Sequence, residues 1–132
     1  MTKQELEQIK WYRKEIEMID KQIEALRQQS LYPSGMGDGM PKGNSKTSQT
    51  EQIAIKIYEL TNELNLFRTK LVSHIADAYN CIRKVPDSTT RMVAKYRCID
   101  GLSFEKISAI LDINKRTVMK RYDEFILTLE EK

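Results

Sequence analysis

Two stretches of this chain carry apolar residues at alternating spacings of three and four, the repeat of helices that pair side by side. The stretches cover residues 1–29 and 50–84. The first stripe consists of Ile9, Tyr12, Ile16, Ile19, Ile23 and Leu26, and the second consists of Ile53, Ile57, Leu60, Leu64, Phe67 and Leu71. We therefore predict an all-α fold with two long helices that form a coiled coil. Thr2 with Glu5, and Ser48 with Glu51, predict capping-box starts for the two helices, and Val85-Pro86 predicts the end of the second.

The segment between the two stripes, residues 30–49, holds four of the five glycines and two of the three prolines. Such a composition is typical of a flexible linker. Twenty flexible residues span roughly 25 Å, which suits an antiparallel return but is short for the return of ~40 Å that a parallel pair needs. The spacing therefore predicts an antiparallel pair, formed either within one chain or with a partner chain.

Apolar residues also lie off the two stripes, at Trp11, Tyr58 and Leu66. One pair of helices would leave them uncovered, so we expect a homo-oligomer, a dimer or a tetramer. Ten of the twelve stripe residues are predicted to hold the oligomer, namely Ile9, Ile16, Ile19, Ile23, Leu26, Ile57, Leu60, Leu64, Phe67 and Leu71. Beyond Leu71 the apolar line moves round the helix, which predicts that the end of the second helix packs against the C-terminal module.

Composition argues against several classes of protein. No apolar run reaches the roughly 20 residues that cross a bilayer, so we expect no membrane association. The start MTKQELEQIK lacks the apolar core of a signal peptide, and the two cysteines are too few for a disulfide framework, so a cytoplasmic protein is predicted. A single histidine and no nucleophile with a nearby base argue against an enzyme. Zinc modules need four ligands, and we expect neither a metal nor another cofactor.

Residues 85–132 predict a module of three short helices. Gly101 is placed to end the first of them, and Ser103 to cap the second. Asp112-Ile113-Asn114 predicts a tight turn, after which Asn114 caps a third helix. A short helix, a three-residue turn and a longer helix are typical of a helix-turn-helix that binds DNA.

Charge concentrates at the start of the third helix. Residues 85–132 hold nine basic and eight acidic residues, yet KRTVMKR at 115–121 holds four basic residues and no acid. Because Val118 is expected at the centre of the buried face, Arg116, Thr117 and Lys120 should face outward, with Lys115 and Arg121 on the flanks. Arg and Lys can hold phosphates or guanine, and Thr can contact a phosphate or a thymine methyl. These five residues are the predicted DNA contacts.

Residues 96–122, YRCIDGLSFEKISAILDINKRTVMKRY, resemble the helix-turn-helix of sigma-factor region four in the Gly-Leu-Ser-Phe entry, in Ile107, Leu111 and Ile113, and in Arg-Thr-Val at 116–118. Ser108 and Asp112 stand where such motifs commonly carry alanine and glycine. Over nearly the whole chain, the order of charged helix, Gly-rich linker, long helix and helix-turn-helix is similar to small proteins of Gram-positive phages grouped with the RinA/ArpU-type activators of phage late operons. The resemblance implies transcriptional regulation in the host cytoplasm and contact with RNA polymerase.

The residues and the resemblance together predict an oligomeric, sequence-specific protein that binds double-stranded DNA and regulates phage transcription. A DNA-packaging protein of the small-terminase type also joins a helix-turn-helix to an oligomerising bundle. A coiled-coil adaptor that binds only protein is a third interpretation. Light scattering would separate the first two, since a dimer or tetramer fits the regulator and a ring of eight or more fits packaging.

Overall fold

The computed structural model describes residues 1–31 and 43–129. It confirms the all-α fold, since the described residues form helices and no strand. The helices are α1 (Lys3–Leu31), α2 (Gly43–Arg83), α3 (Ser88–Ala94), α4 (Phe104–Leu111) and α5 (Lys115–Leu129). None of the helices in these ranges is long and apolar enough to cross a membrane.

α1 begins with the predicted capping box. The backbone N–H of Thr2 donates to Oε1 of Glu5 at 2.8 Å, and the backbone N–H of Glu5 donates to Oγ1 of Thr2 at 3.1 Å. Two N–H groups that the first helical turn would leave without partners are thereby satisfied. The bond from the Thr2 backbone also lowers the pKa of the Glu5 carboxyl, because it stabilises the charged form.

The predicted linker is too long at both ends. α1 continues through Leu31, and α2 is already helical at Gly43, seven residues before the predicted start. The physical reason is that residues 44–49 contain neither Gly nor Pro, and their polar side chains cost a helix only a few tenths of a kcal/mol each, about 0.7 at most. Ser48 therefore lies inside α2 and is not its N-cap. The rest of the predicted linker, residues 32–42, lies outside the described residues.

The described chain divides into two compact units, of which the first combines residues 1–13 with the chain from residue 70 onward and the second is residues 14–69. Unit 2 is a helical hairpin. Its core consists of Ile19, Ile23, Leu60 and Leu64, with Ile16, Leu26, Ile57 and Phe67 packed against it. An exposed ion pair at 3.9 Å joins Asp20 of α1 to Arg68 of α2.

The order of contacts along the two helices is antiparallel, as predicted. Tyr12 of α1 meets His74 of α2, with 5.2 Å between the ring centroids, whereas Asp20 meets Arg68. Residue numbers thus rise along α1 as they fall along α2. Because both helices belong to one chain, the structure has the pairing within the chain.

Ten of the twelve stripe residues pack against one another within this single chain. Eight of the ten predicted oligomerisation residues form or flank the unit 2 core of a single chain. The other two, Ile9 and Leu71, belong to or flank a core of unit 1. The assignment of these ten residues to an interface between chains stays a prediction.

Unit 1 joins the first residues of the chain to the last ones described. Its larger core consists of Leu6 and Ile9 of α1, Ala78 and Ile82 of α2, Val85, Ala94, Ile99, and Phe125, Ile126 and Leu129 of α5. The prediction that the end of α2 packs against the C-terminal module is thereby confirmed. Sequence periodicity missed the part played by Leu6 and Ile9, because a stripe shows which side of a helix is buried but not what covers it.

The short helices of unit 1 begin and end at the residues their chemistry favours. Oδ2 of Asp87 accepts the backbone N–H of Thr90 at 2.9 Å and its hydroxyl at 2.8 Å, which caps α3. α3 continues as one π-helical turn, Lys95–Ile99, closed by the bond from the Asp100 N–H to the Lys95 carbonyl at 3.2 Å. Gly101 then takes the left-handed conformation, with φ of 72°, and ends the helix as predicted.

Candidate nucleic-acid interface

Within unit 1, a three-residue turn joins α4 to α5, and a predicted cap fixes the start of α4. Oγ of Ser103 accepts the backbone N–H of Lys106 at 3.2 Å and caps α4. Next to it, the guanidinium of Arg97 lies 4.1 Å from the centroid of the Phe104 ring and donates to the Leu102 carbonyl at 3.0 Å. These contacts tie the first helix of the motif to the π-helical turn before it.

The turn between α4 and α5 is held by backbone geometry and by Ser108. Asp112 takes the left-handed conformation, with φ of 56° and ψ of 46°, and its N–H bonds to the Ser108 carbonyl. The Ser108 hydroxyl donates to the Ile113 carbonyl on the far side of the turn. An alanine at position 108 could not make this bond. Oδ1 of Asn114 accepts the backbone N–H of Arg116 at 2.7 Å, which confirms Asn114 as the cap of α5.

A second core of unit 1 fixes the rotation of α5. It consists of Val93 of α3, Ile107 of α4 and Val118 of α5, all fully buried, with Tyr96, Leu102, Phe104, Leu111, Ile113 and Tyr122 packed around them. Because successive residues of a helix are about 100° apart, burying Val118 turns Arg116 and Lys120 to the opposite side. Both side chains are exposed, and neither has an ion-pair partner among the described residues.

The structure separates the five predicted contacts into two groups. Lys115 is exposed but forms an ion pair with Glu105 of α4, at 3.3 Å between Nζ and Oε2. Arg121 is half-buried, and its Nη1 pairs with Oε1 of Glu124 at 3.3 Å. Thr117 is half-buried. Arg116 and Lys120 therefore stand alone as fully available cations on the outward face of α5.

Arg121 is more closely tied to the fold than the sequence indicates. Its Nε is buried without a hydrogen-bond partner among the described atoms. Its positive charge also contributes to lowering the pKa of the Asp87 carboxyl, after the larger effect of the hydrogen bonds from Thr90. The Arg121 guanidinium thus stabilises the charged form of Asp87, the cap of α3, and forms an ion pair with Glu124 on α5.

One residue of the outward region was not predicted from the sequence. Met119 follows Val118 by 100° on the helix and is 41% exposed, beside Lys120. A thioether there offers an apolar surface of the kind that contacts a thymine methyl group. The position of Met119, one residue after the buried Val118, already indicates this exposure in the sequence.

The cysteines and the histidine of unit 1 are accounted for by packing. Burial raises the pKa of the Cys98 thiol to about 12, and its Sγ lies 3.8 Å from the Tyr122 hydroxyl. Burial also raises the pKa of the Tyr122 hydroxyl. His74 donates from Nδ1 to the Lys70 carbonyl at 3.0 Å. In the parts of the chain that the structure describes, no three His, Cys, Asp or Glu side chains come together as metal ligands.

Comparisons of the chain with models of protein families, with curated proteins and with solved structures find no match.

Proposed function

We propose that this chain is a sequence-specific protein that binds double-stranded DNA through α5 and regulates transcription, as the resemblance to phage late-operon activators implies. The observation that carries the proposal is the pair of exposed cations, Arg116 and Lys120, on the side of α5 opposite the buried Val118. A helix presented on a short turn, with its charged side outward, has the form that enters a major groove.

The electrostatics of α5 favour an anionic partner at its first two turns. The helix has no acidic residue in its first turn, so the positive end of its dipole adds to the charges of Lys115, Arg116 and Lys120. Asp123 is exposed one turn further along, where a helix leaves the groove. Phosphate contacts would hold the module, and Arg116 is the side chain best suited to read guanine, because its two parallel donors match O6 and N7.

The ion pairs at the edge of this surface determine which contacts must be broken when DNA binds. Lys115 can reach a phosphate only by giving up Glu105, whereas Arg116 and Lys120 give up only water. Since an exposed ion pair is worth about 0–1 kcal/mol, the exchange at Lys115 costs little but also gains little. We therefore expect the largest losses of affinity at Arg116 and Lys120, and smaller ones at Lys115 and Arg121.

The test begins by selecting bound duplexes from a random-sequence library with the full chain, because the site it reads is not known. Affinity for the selected site is then measured by mobility shift at two salt concentrations. Arg116→Ala and Lys120→Ala should each weaken binding by about 1–3 kcal/mol. Lys120→Ala should also reduce the salt dependence, because one phosphate contact fewer releases fewer counterions.

Lys21→Ala is the matched control, because it removes an exposed lysine of α1 and should leave affinity unchanged. Equal affinity of wild type, Arg116→Ala and Lys120→Ala for the selected site would overturn the assignment of α5. If selection enriches no sequence at all, the protein is not a sequence-specific regulator. Transcription in vitro from a promoter carrying the selected site then tests the regulatory part of the proposal, and no change on adding the protein would contradict it.

A further inference from the structure

The face of α2 that points away from the unit 2 core carries a row of uncharged side chains. We call it the outer row, and it consists of Ile55, Tyr58, Asn62, Leu66 and Thr69. The spacings of 3, 4, 4 and 3 keep these residues on one side of the helix. All five are exposed, and the three largest, Ile55, Tyr58 and Leu66, are exposed by 56%, 67% and 53%.

The corresponding face of α1 in the same unit is of the opposite kind. Lys14, Glu17 and Lys21 lie along its centre, all exposed and charged, with exposed Met18 and Ala25 beside them. Both helices belong to one hairpin and bury the same kind of apolar stripe, so an ordinary solvated surface would give both outer faces the same character. In a chain with 31% charged residues, an uncharged outer row on α2 alone indicates a surface that is covered.

We propose that the outer row of α2 is a dimer seam, and that its occupant is the outer row of a second copy of this chain in parallel orientation. Ile55, Tyr58, Asn62 and Thr69 keep the a, d, a and a positions of a two-stranded coiled coil, and Leu66 lies one residue past the intervening d position. A parallel pair places Asn62 opposite Asn62 of the second copy. An amide at one such position fixes register and favours two strands, because the two amides can bond only to each other.

The edges of the row favour this orientation. Lys56, Glu59 and Glu63 line one edge, whereas Ala54, Thr61 and Asn65 line the other. In a parallel pair the charged edge of one copy meets the uncharged edge of the second, so no like charges are opposed. In an antiparallel pair centred on Asn62, the same edges would meet, and Glu59 and Glu63 of both copies would repel one another.

The length of the row sets the expected strength. From Ile55 to Thr69 it spans about 21 Å of helix, or two heptads, which is short for a coiled coil. We expect a reversible dimer with a dissociation constant on the order of micromolar, as for small interfaces. The seam does not depend on DNA binding, so its test uses the free protein.

Sedimentation equilibrium of the full chain over a range of concentrations measures the mass. Wild type should pass from monomer to dimer, and Leu66→Glu should stay monomeric because it would bury a charge in the seam. Met18→Glu is the matched control, since Met18 lies on α1 of the same unit and is 56% exposed. It should dimerise like wild type. Circular dichroism of both variants checks that the helices are intact.

Orientation is tested by disulfide trapping with Ile55→Cys and Thr69→Cys. In a parallel seam each residue lies opposite the same residue of the second copy. Each variant alone should therefore form a covalent dimer under mild oxidation, above the level that wild type with Cys81 and Cys98 shows. A disulfide that forms only in a mixture of the two variants would overturn the parallel orientation. A monomer at every concentration, a dimer that survives Leu66→Glu but not Met18→Glu, or an assembly larger than a dimer would overturn the seam itself.

Discussion

At the scale of single residues, the structure distinguishes side chains that the sequence treats as alike. The run KRTVMKR offers four cations, but only Arg116 and Lys120 are exposed without an ion-pair partner among the described residues. Charge and helical phase were enough to select the outward face. The partners of Lys115 and Arg121 could not be predicted in the same way, because Glu105 lies on another helix and the burial of the Arg121 Nε depends on how α5 packs.

Asp112 gives a prediction at this scale, because it is the one non-glycine residue with positive φ among the described residues. Substitution by valine, whose branched side chain is strained there, should lower the free energy of unfolding by roughly 1–2 kcal/mol. Asp112→Gly is the control at the same position and should be no less stable than wild type. Urea denaturation measures both, and equal stability of the valine and glycine variants would show that the turn is not strained.

At the scale of helices and turns, the ends of elements follow local chemistry closely. The caps at Thr2, Ser103 and Asn114 were predicted from side-chain type and spacing, and each is made. The prediction failed at Ser48, where an equally good capping sequence lies inside a helix. An N-cap begins a helix only where the residues before it do not continue the helix, and residues 44–47 contain neither Gly nor Pro, which resist helical conformation most.

Asp87 gives a prediction of pH dependence for α3. Its folded pKa lies below the ordinary value because Thr90 donates two hydrogen bonds to the carboxylate. Its contribution to stability is therefore complete above about pH 5 and is lost as the pH falls through the lowered pKa. Asp87→Asn keeps an acceptor oxygen but cannot titrate. Thermal unfolding should show wild type losing more stability than Asp87→Asn between pH 5 and pH 3, while the other carboxyl groups affect both proteins equally.

Parallel loss of stability by the two proteins over that range would contradict this role of the Asp87 charge. A difference that is already present at pH 7 and stays constant would mean that the amide caps α3 better or worse than the carboxylate, and that the charge does not contribute.

At the scale of the whole molecule, the sequence predicted the class of fold and the pairing direction but not the division into units. The apolar stripe of α1 predicts one continuous seam, yet its first residue, Ile9, belongs with Leu6 to a core of unit 1, whereas Ile19 and Ile23 belong to the core of unit 2. Periodicity cannot show this division, because apolar residues at the same spacing fit either core.

The two units with their separate cores predict different responses to core substitutions. Leu64 is buried in unit 2, so Leu64→Ala should lower the stability by about 2–5 kcal/mol. Hydrogen exchange should rise most in residues 14–31 and 50–69, because local opening follows the weakened core. Met18→Ala, at an exposed position of the same unit, should change neither quantity. An equal rise of exchange in α4 and α5 would show that the units open together.

The core that joins Leu6 to Leu129 also has a kinetic consequence. The two residues share a hydrophobic cluster although 123 positions separate them in sequence. During synthesis, the opening turns of α1 emerge long before α5 is made, and their apolar side stays uncovered until residue 129 has been added. Closing so long a loop slows folding, and it means that α5 reaches its full stability only after the start of α1 has packed against it.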